Sequence, residues 1–206
     1  MRFRLATLFI VIGLLAVSEE TSVPANVQKH LTTLDKPKQI HCQYTQIRHI
    51  SSLNQELEFT GEIAIEVGKR MLWRTDKPMK SAYILTAESL RQWDEDAQRT
   101  ITLPIALSNQ LEAFYECFSA LFIGDCDTLS KQFKIISSTT TNRLTLIPKE
   151  PKMKSVFNKL EIMTKKDVTS TKTMIFHETN GDLLTMHFHH VKYTDIPSGI
   201  WQLPPE

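Results

Sequence analysis

Three histidines near the end of the chain, His187, His189 and His190, have a spacing that could bind a metal ion. Side chains on a β-strand alternate between its two faces, so His187 and His189 would share a face, and imidazole is a common zinc ligand. Apart from possible neighbours on adjacent strands, no cysteine or acidic residue accompanies them at ligand spacing. We therefore expect solvent-facing histidines here, and neither a metal nor another cofactor.

Four glutamates, Glu56, Glu58, Glu62 and Glu66, could suggest the paired carboxylates of acid–base catalysis. They occupy even positions of one stretch, which places them in a row along a single solvated strand face. The sequence also lacks the nucleophile motif G-x-S-x-G and a glycine-rich phosphate loop. We expect that the protein is not an enzyme and that these glutamates keep a long strand soluble.

The other face of the same strand is apolar, and its pattern continues beyond a short connection at residues 68–70. The residues of this pattern are Leu57, Phe59, Ile63, Ile65, Val67, Met71 and Trp73. A connection with an odd number of residues would place Val67 opposite Met71 and Ile65 opposite Trp73. The pattern predicts a long curved sheet whose apolar concave wall includes Ile63, Ile65, Val67, Met71 and Trp73.

A helix from Pro104 to about Ile123 is predicted in the middle of this β-rich chain. Its apolar stripe consists of Leu107, Leu111, Phe114, Phe118 and Leu121. A second amphipathic helix is predicted near residues 22–36, and Asn180-Gly181 is the strongest hairpin signal. The fold class is mainly β (α+β): a half-open, strongly curved antiparallel β-barrel of about ten to eleven strands covered by amphipathic lid helices. A solid core without a cavity is the alternative.

The first 18 residues have the features of a secretory signal peptide: a basic start, an apolar run from Leu5 to Leu15, and small residues before a cleavage site near Ser18. An uncleaved anchor helix is the alternative, although the run is short for a membrane span. We expect residues 19–206 to form a single soluble domain in the periplasm. Without a basic stripe, nucleic acid is not an expected partner.

The three cysteines, Cys42, Cys117 and Cys126, allow one disulfide in an oxidising compartment. Cys117 and Cys126 bracket a predicted helix end and could pair with each other. Cys42 and Cys117 could pair instead if the helix covers the strand of Cys42. The absence of C-x-x-C gives no indication of a redox enzyme.

Six segments follow one another in the order and spacing of a known family. In this chain they are residues 40–46 (Ile-His-Cys-Gln-Tyr-Thr-Gln), 61–73 (Gly-Glu-Ile to Leu-Trp), 90–94 (Leu-Arg-Gln-Trp-Asp), 118–125 (Phe-Ser-Ala-Leu-Phe-Ile-Gly-Asp), 144–148 (Leu-Thr-Leu-Ile-Pro) and 201–205 (Trp-Gln-Leu-Pro-Pro). In the same order, the family's patterns that they resemble are aromatic-x-x-x-aromatic-x-Gln, G-E-L…W, L-W-x-Y-D, a helix that ends before Gly-Asp, L-x-L-x-P and F-x-F-x-P-P. Each motif alone is weak, but together they span nearly the whole mature chain. The sequence resembles the LolA-like periplasmic outer-membrane lipoprotein carriers.

This resemblance implies a carrier that holds acyl chains and ferries lipoproteins from an inner-membrane exporter to an outer-membrane acceptor. The underside of its lid would be formed by Leu107, Leu111, Phe114 and Phe118. Well-studied members have an Arg-Pro pair in the first turn of the G-E-L…W hairpin, and the Arg helps to hold the lid closed. Here Val67-Gly68 stands in its place, and the chain stops soon after Pro204-Pro205, whereas the principal carriers extend further. Both departures suggest a divergent carrier, for another acylated molecule rather than for lipoproteins in general. We expect a monomer whose partner is an acylated lipid or lipoprotein.

Two other functions remain open at this stage. A module of the same fold could sense lipid and regulate another periplasmic protein. An acyl- or metal-dependent hydrolase is the third hypothesis, although no motif for one is present.

Overall fold

The computed structural model describes residues 39–104, 115, 117–121, 125–138, 143–164, 171–193 and 195–203. The predicted signal peptide and first helix lie outside the described residues, as do Leu107, Leu111 and Phe114. Within the described ranges, no helix has both the length and the apolar character needed to cross a membrane.

Eleven antiparallel strands form one sheet, which confirms the predicted fold class. The strands are β1 (Gln39–Ile50), β2 (Gln55–Glu66), β3 (Arg70–Lys77), β4 (Ser81–Thr86), β5 (Ser89–Asp94), β6 (Arg99–Pro104), β7 (Phe133–Ser138), β8 (Arg143–Pro148), β9 (Phe157–Thr164), β10 (Thr171–Glu178) and β11 (Leu183–Lys192). Their order across the sheet is β6-β5-β4-β3-β2-β1-β11-β10-β9-β8-β7. The pairing of β1 with β11 joins the two halves, and β6 and β7 are the open edges of the incomplete barrel.

The sheet curls around a helical stretch, residues 117–121, which we call the covering helix. Phe118 contacts the rings of Trp73 on β3 and Phe176 on β10, at centroid distances of 5.6 and 6.1 Å. On a flat sheet these two strands, four positions apart in the strand order, would be about 19 Å from each other. They reach one ring because the sheet is strongly curved.

The connection of the β2–β3 hairpin has an odd number of residues, as predicted, but the register of the two strands differs from the prediction. Ile65 pairs with Met71, and Trp73 pairs with Ile63, so the predicted pairing of Ile65 with Trp73 is wrong by two residues. Gly68 adopts φ +74° and lies at the centre of the three-residue turn, a backbone conformation that favours glycine. Because the shift is even, every side chain stays on its predicted face.

In the described part of the chain, helices occur at three further places. Helix α1 (Cys126–Gln132) begins at Asp125, whose side chain accepts a hydrogen bond from the backbone N–H of Thr128 at 3.1 Å. The sequence pattern indicates no element for residues 126–132, because the strand alternation resumes only at Phe133 after the turn at residues 124–125. Helix α2 (Pro151–Lys154) is a single turn. The sequence of residues 200–203 suggests a last short strand, but Ser198–Trp201 forms a 3₁₀ turn.

The last described residues, 195–203, form a C-terminal segment that packs on the convex face of the sheet. A small apolar cluster lies beneath it, formed by Ala64, Leu72, Ile84, Ile196 and Trp201. The main core lies on the other side of the sheet, between the concave face and the helices. Both faces of β2, β3 and β4 are therefore covered where this segment crosses them.

Two arginines of β3 fasten the C-terminal segment to the sheet. Arg74 donates hydrogen bonds to the carbonyl oxygens of Ile200 (3.1 Å) and Gln202 (3.4 Å). The guanidinium of Arg70 lies 4.2 Å from the centre of the Trp201 ring, in cation–π geometry. Both arginines also pair with glutamates of β2. The acidic face, for which the sequence predicts full solvation, is therefore partly covered here.

Candidate functional site

The predicted wall residues on β2 and β3 lie together on the concave face. Ile63 and Ile65 are completely buried, and Met71 is 3% exposed. Trp73 and Val67 are partly buried and pack against the same core cluster. The period-two pattern thus brings these side chains together. In this structure they form a packed surface, and Trp73 alone among them also borders a pocket.

Phe118 covers this surface. Its side chain is completely buried, its ring is tilted by 50° against Trp73, and it stacks on Phe176 with an interplanar angle of 2°. Of the four predicted lid residues, Phe118 is the one within the described part of the chain, and it does face the concave surface. Placement of Leu107, Leu111 and Phe114 on the underside of the lid remains a prediction.

A pocket of ≈ 330 Å³ opens beside this packed surface. Its apolar lining consists of Phe59, Trp73, Met79 and Tyr83. Its polar lining consists of Gln46, Thr75, Ser81 and Asp94. The volume is at the lower end of the range of about 300–1,000 Å³ that is usual for small-molecule sites. Of the predicted wall residues, Trp73 lines this pocket.

Small residues in register across three strands make room for the pocket. Gly61 pairs with Thr75, and Thr75 pairs with Ser81. The neighbouring pair on the concave face, Trp73 with Tyr83, carries two large rings. A side chain at Gly61 would not fit, because a Cβ there would lie 1.9 Å from the carbonyl oxygen of Arg74 on β3. The pocket therefore depends on cross-strand register and not on any contiguous motif.

A buried chain of hydrogen bonds fixes the ring of Trp73. The indole N–H donates to the Tyr44 hydroxyl oxygen at 2.8 Å, and this hydroxyl bonds to the Thr75 hydroxyl at 2.9 Å. Indole is only a donor, so the Tyr44 oxygen accepts from Trp73, and either hydroxyl can donate in the bond between Tyr44 and Thr75. Burial is the main reason that the pKa of Tyr44 is raised above its ordinary value. The hydroxyl is therefore a neutral group that orients Trp73.

Sequence reasoning missed Tyr44, Thr75 and Ser81 as site residues. The alternation of β1 predicts that Tyr44 faces inward, and its concave position was readable from Ile40 and Cys42. Thr75 and Ser81 carry no comparable signal, because small polar residues at strand ends are common and their mutual pairing is a tertiary property.

Cys42 and Cys117 are buried free thiols. Burial raises the pKa of each thiol to about 12, with no other cause for Cys117. Both sulfurs are therefore protonated and poorly nucleophilic near neutral pH. The alternation of Cys42 with Ile40 and Tyr44 predicts that it points to the apolar side of its strand, and Cys42 does lie in the main core. The side chain of Cys126 lies outside the described set, so its disulfide with Cys117, which would replace the free thiol described here, stays a prediction.

The histidines of β11 lie against neutral partners on adjacent strands. His187 is within hydrogen-bond distance of the Thr173 hydroxyl (3.1 Å), and His189 is within 3.3 Å of the Thr45 hydroxyl. In the described portion of the chain, no group of three or more His, Cys, Asp or Glu side chains is arranged to hold a metal.

Comparison with known proteins places the chain in one family. The family model described as outer membrane lipoprotein carrier protein LolA matches residues 35–200. Curated protein sequences give no match. Among solved structures, a conserved protein from Thermus thermophilus is similar, with 9% identity over 88% of this chain and 94% of that chain and a TM-score of 0.51.

Two further solved structures are similar at lower scores. A LolA superfamily protein from Nitrosomonas europaea has 8% identity over 87% of this chain and 97% of that chain, with a TM-score of 0.45. MucB in the Pseudomonas aeruginosa MucA/MucB complex has 11% identity over 87% of this chain and 59% of that chain, with a TM-score of 0.43. At such identities, structural likeness concerns the fold alone. The family assignment rests on the sequence match: this chain belongs to the LolA family of outer membrane lipoprotein carrier proteins.

Proposed function

We propose that the protein is a periplasmic carrier that binds the acyl chains of a lipoprotein or another acylated lipid and shuttles them between the inner and outer membranes. The observation that carries this proposal is the continuous apolar concave face, which is covered by the covering helix and spans both halves of the sheet. An inner-membrane exporter would load the protein and an outer-membrane acceptor would unload it. No chemical step on the cargo is required.

The energetics of this task favour exchange rather than permanent binding. Moving a methylene group from water into an apolar site gains about 0.8 kcal/mol, so an acyl chain of about sixteen carbons gains roughly 12 kcal/mol. Relative to a bilayer, the same chain gains almost nothing. A carrier therefore needs a dry cavity and a cover that opens, but no affinity greater than that of the membrane.

The complete burial of Ile63, Ile65 and Phe118 implies that the cargo must displace the cover. The acyl chain would take the place of the Phe118 ring between Trp73 and Phe176. Leu107, Leu111 and Phe114 would then lie over the bound chain, as predicted for the lid. The removal of residues 1–18 as a signal peptide and a single soluble domain over residues 19–206 are parts of the same proposal.

Native mass spectrometry of protein purified from periplasm without detergent tests the proposal, with lipid identification in the extract. A bound acylated species at a near one-to-one ratio is the expected result. The matched variants Leu111→Glu and Phe114→Glu should lose this species and keep a β-rich circular dichroism spectrum. An empty mass, with no uptake of added fatty acid or lipopeptide, would contradict a carrier.

A lipid-sensing module that regulates another protein is the second candidate. The packed concave surface favours it, because the described pocket of ≈ 330 Å³ offers limited room without rearrangement. Stable capture of one protein partner whose binding changes with lipid load, together with no transfer of lipid to acceptor membranes, would select this function over the carrier.

A further inference from the structure

The described lining of the pocket beside the packed concave surface combines aromatic rings with one negative charge and contains no positive charge. Three of its lining residues, Phe59, Trp73 and Tyr83, are aromatic. Among the lining residues that the structure describes, Asp94 is the one charged residue, and none is a lysine or an arginine. Aromatic rings attract cations through the negative potential of their faces, and they serve in this way at sites for ammonium ligands.

The backbone holds Asp94 at the rim without neutralising its charge. One carboxylate oxygen, Oδ1, accepts hydrogen bonds from the backbone N–H groups of Asp96 (2.9 Å) and Ala97 (3.2 Å) in the turn after β5. Asp94 also pairs with Ser81 across the strands, which directs it to the concave face. Arg99 on β6 is the other cross-strand partner of Asp94, yet within the described ranges no side chain lies in bonding distance of Oδ2. The carboxylate is thus fixed in direction by the turn, and Oδ2 can face a ligand.

The surroundings of Tyr44 support the negative character of this end of the concave face. Burial is the first cause of the raised pKa of its hydroxyl, and the negative charge of Asp76 adds to the shift. Lys80, near the rim, is paired with Glu95 at 3.6 Å rather than with Asp94. An anionic head group would meet Asp94 without a compensating basic residue from the pocket lining, whereas a cationic one would be attracted.

We propose that this pocket binds the cationic head of an amphiphile, an ammonium group in a molecule that also carries a long apolar chain, between the rings of Phe59, Trp73 and Tyr83 and the Asp94 carboxylate. The inference rests on the proposed function, since the attached chain would enter the concave face next to Trp73. It narrows the cargo to amphiphiles with a cationic ammonium head, and it distinguishes them from fatty acids and from lipids with an anionic head.

Three amphiphiles with one chain length test the head-group preference: dodecyltrimethylammonium, dodecanol and dodecanoate. Binding to the mature full-length protein is measured by isothermal titration calorimetry below the micellar concentrations, and circular dichroism checks that the fold persists. The ammonium compound should bind at least about fivefold more tightly than dodecanol, and dodecanoate should bind most weakly.

Variants assign the preference to the pocket. Asp94→Asn keeps an oxygen that accepts the turn hydrogen bonds, and it should abolish most of the advantage of the ammonium head while leaving dodecanol binding unchanged. Asp96→Asn removes a nearby exposed charge that does not line the pocket and should change neither. Tyr83→Leu should reduce ammonium binding and retain dodecanol binding.

The outcomes separate this inference from the proposed function. Equal binding of all three amphiphiles, or an equal effect of Asp94→Asn and Asp96→Asn, would overturn the ammonium site and leave the acyl carrier intact. Failure of all three amphiphiles to bind would overturn both proposals.

Discussion

Replacement of Phe118 by alanine tests whether the covering helix is a displaceable cover or a permanent part of the core. The side chain is completely buried, and it makes ring contacts with Trp73 at 5.6 Å and Phe176 at 6.1 Å. Truncation of a buried phenylalanine to alanine costs about 3–5 kcal/mol, and each aromatic pair contributes about 0.5–1.5 kcal/mol beyond its buried area. The attachment of the helix should therefore weaken by about 3 kcal/mol or more.

A weaker attachment raises the fraction of molecules with an uncovered concave face. If acyl binding requires that state, the apparent dissociation constant falls in inverse proportion to its population. A change of about 3 kcal/mol corresponds to about 100-fold, so Phe118→Ala should bind a fluorescent fatty-acid probe at least about tenfold more tightly than the unaltered protein. The assay is probe titration at a fixed protein concentration, with urea unfolding to measure the free energy of unfolding.

Leu146→Ala is the matched control. Leu146 is also completely buried in the main core, but it lies on β8 of the sheet and not on the covering helix. It should lose about 2–5 kcal/mol of stability with no gain in probe affinity. Equal changes in affinity for the two variants, or weaker binding by Phe118→Ala, would refute the displaceable cover.

Three further predictions concern the frame around the site. Arg74→Ala should lower the free energy of unfolding in urea by about 2–3 kcal/mol, because it removes the charged donor to the C-terminal segment; a loss below about 0.5 kcal/mol would contradict this role. Gly61→Ala should lower the free energy of unfolding by at least about 2 kcal/mol, because the added Cβ would lie 1.9 Å from a backbone oxygen. Gly199→Ala is the near-neutral control, since nothing lies within 4 Å of a Cβ there. Equal melting temperatures of the two variants would be inconsistent with the contact at Gly61. Lys159 is the main reason that the pKa of Glu161 is below its ordinary value of 4.5, so the stability from this carboxylate is present above that pH and is lost as the pH falls through the lowered pKa. Glu161→Gln should flatten the decline of the urea midpoint between about pH 5 and pH 3, and an unchanged decline would exclude this contribution.

The alternation along β2 and β3 made the concave wall predictable, because the face of each side chain is a local property of an extended backbone. The register was less accessible. An odd number of residues in the β2–β3 connection is compatible both with the predicted pairing of Ile65 with Trp73 and with the observed pairing of Ile65 with Met71. The choice depends on the position of Gly68 in the turn, where a positive φ is needed.

The acidic face of β2 shows where local reasoning was wrong. Its alternation predicts solvated glutamates, but Glu66 is only 9% exposed. It is bonded to Lys69 at 2.6 Å and to Arg70 at 2.9 Å, and Lys69 is the first cause of its lowered pKa. The C-terminal segment that covers this region is distant from β2 in the sequence, so no pattern within β2 could predict that it packs there.

By itself, the sequence determined the class of fold, the inward set of apolar side chains and the family. All three depend on strand periodicity, turn residues and short motifs, which are local features of the sequence. The tertiary structure alone decided that Phe118 bridges β3 and β10, that the C-terminal segment covers the convex face, and that Gly61, Thr75 and Ser81 line up to leave a pocket beside Trp73. Those features arise from register and curvature, which bring together residues that have no relation in sequence order.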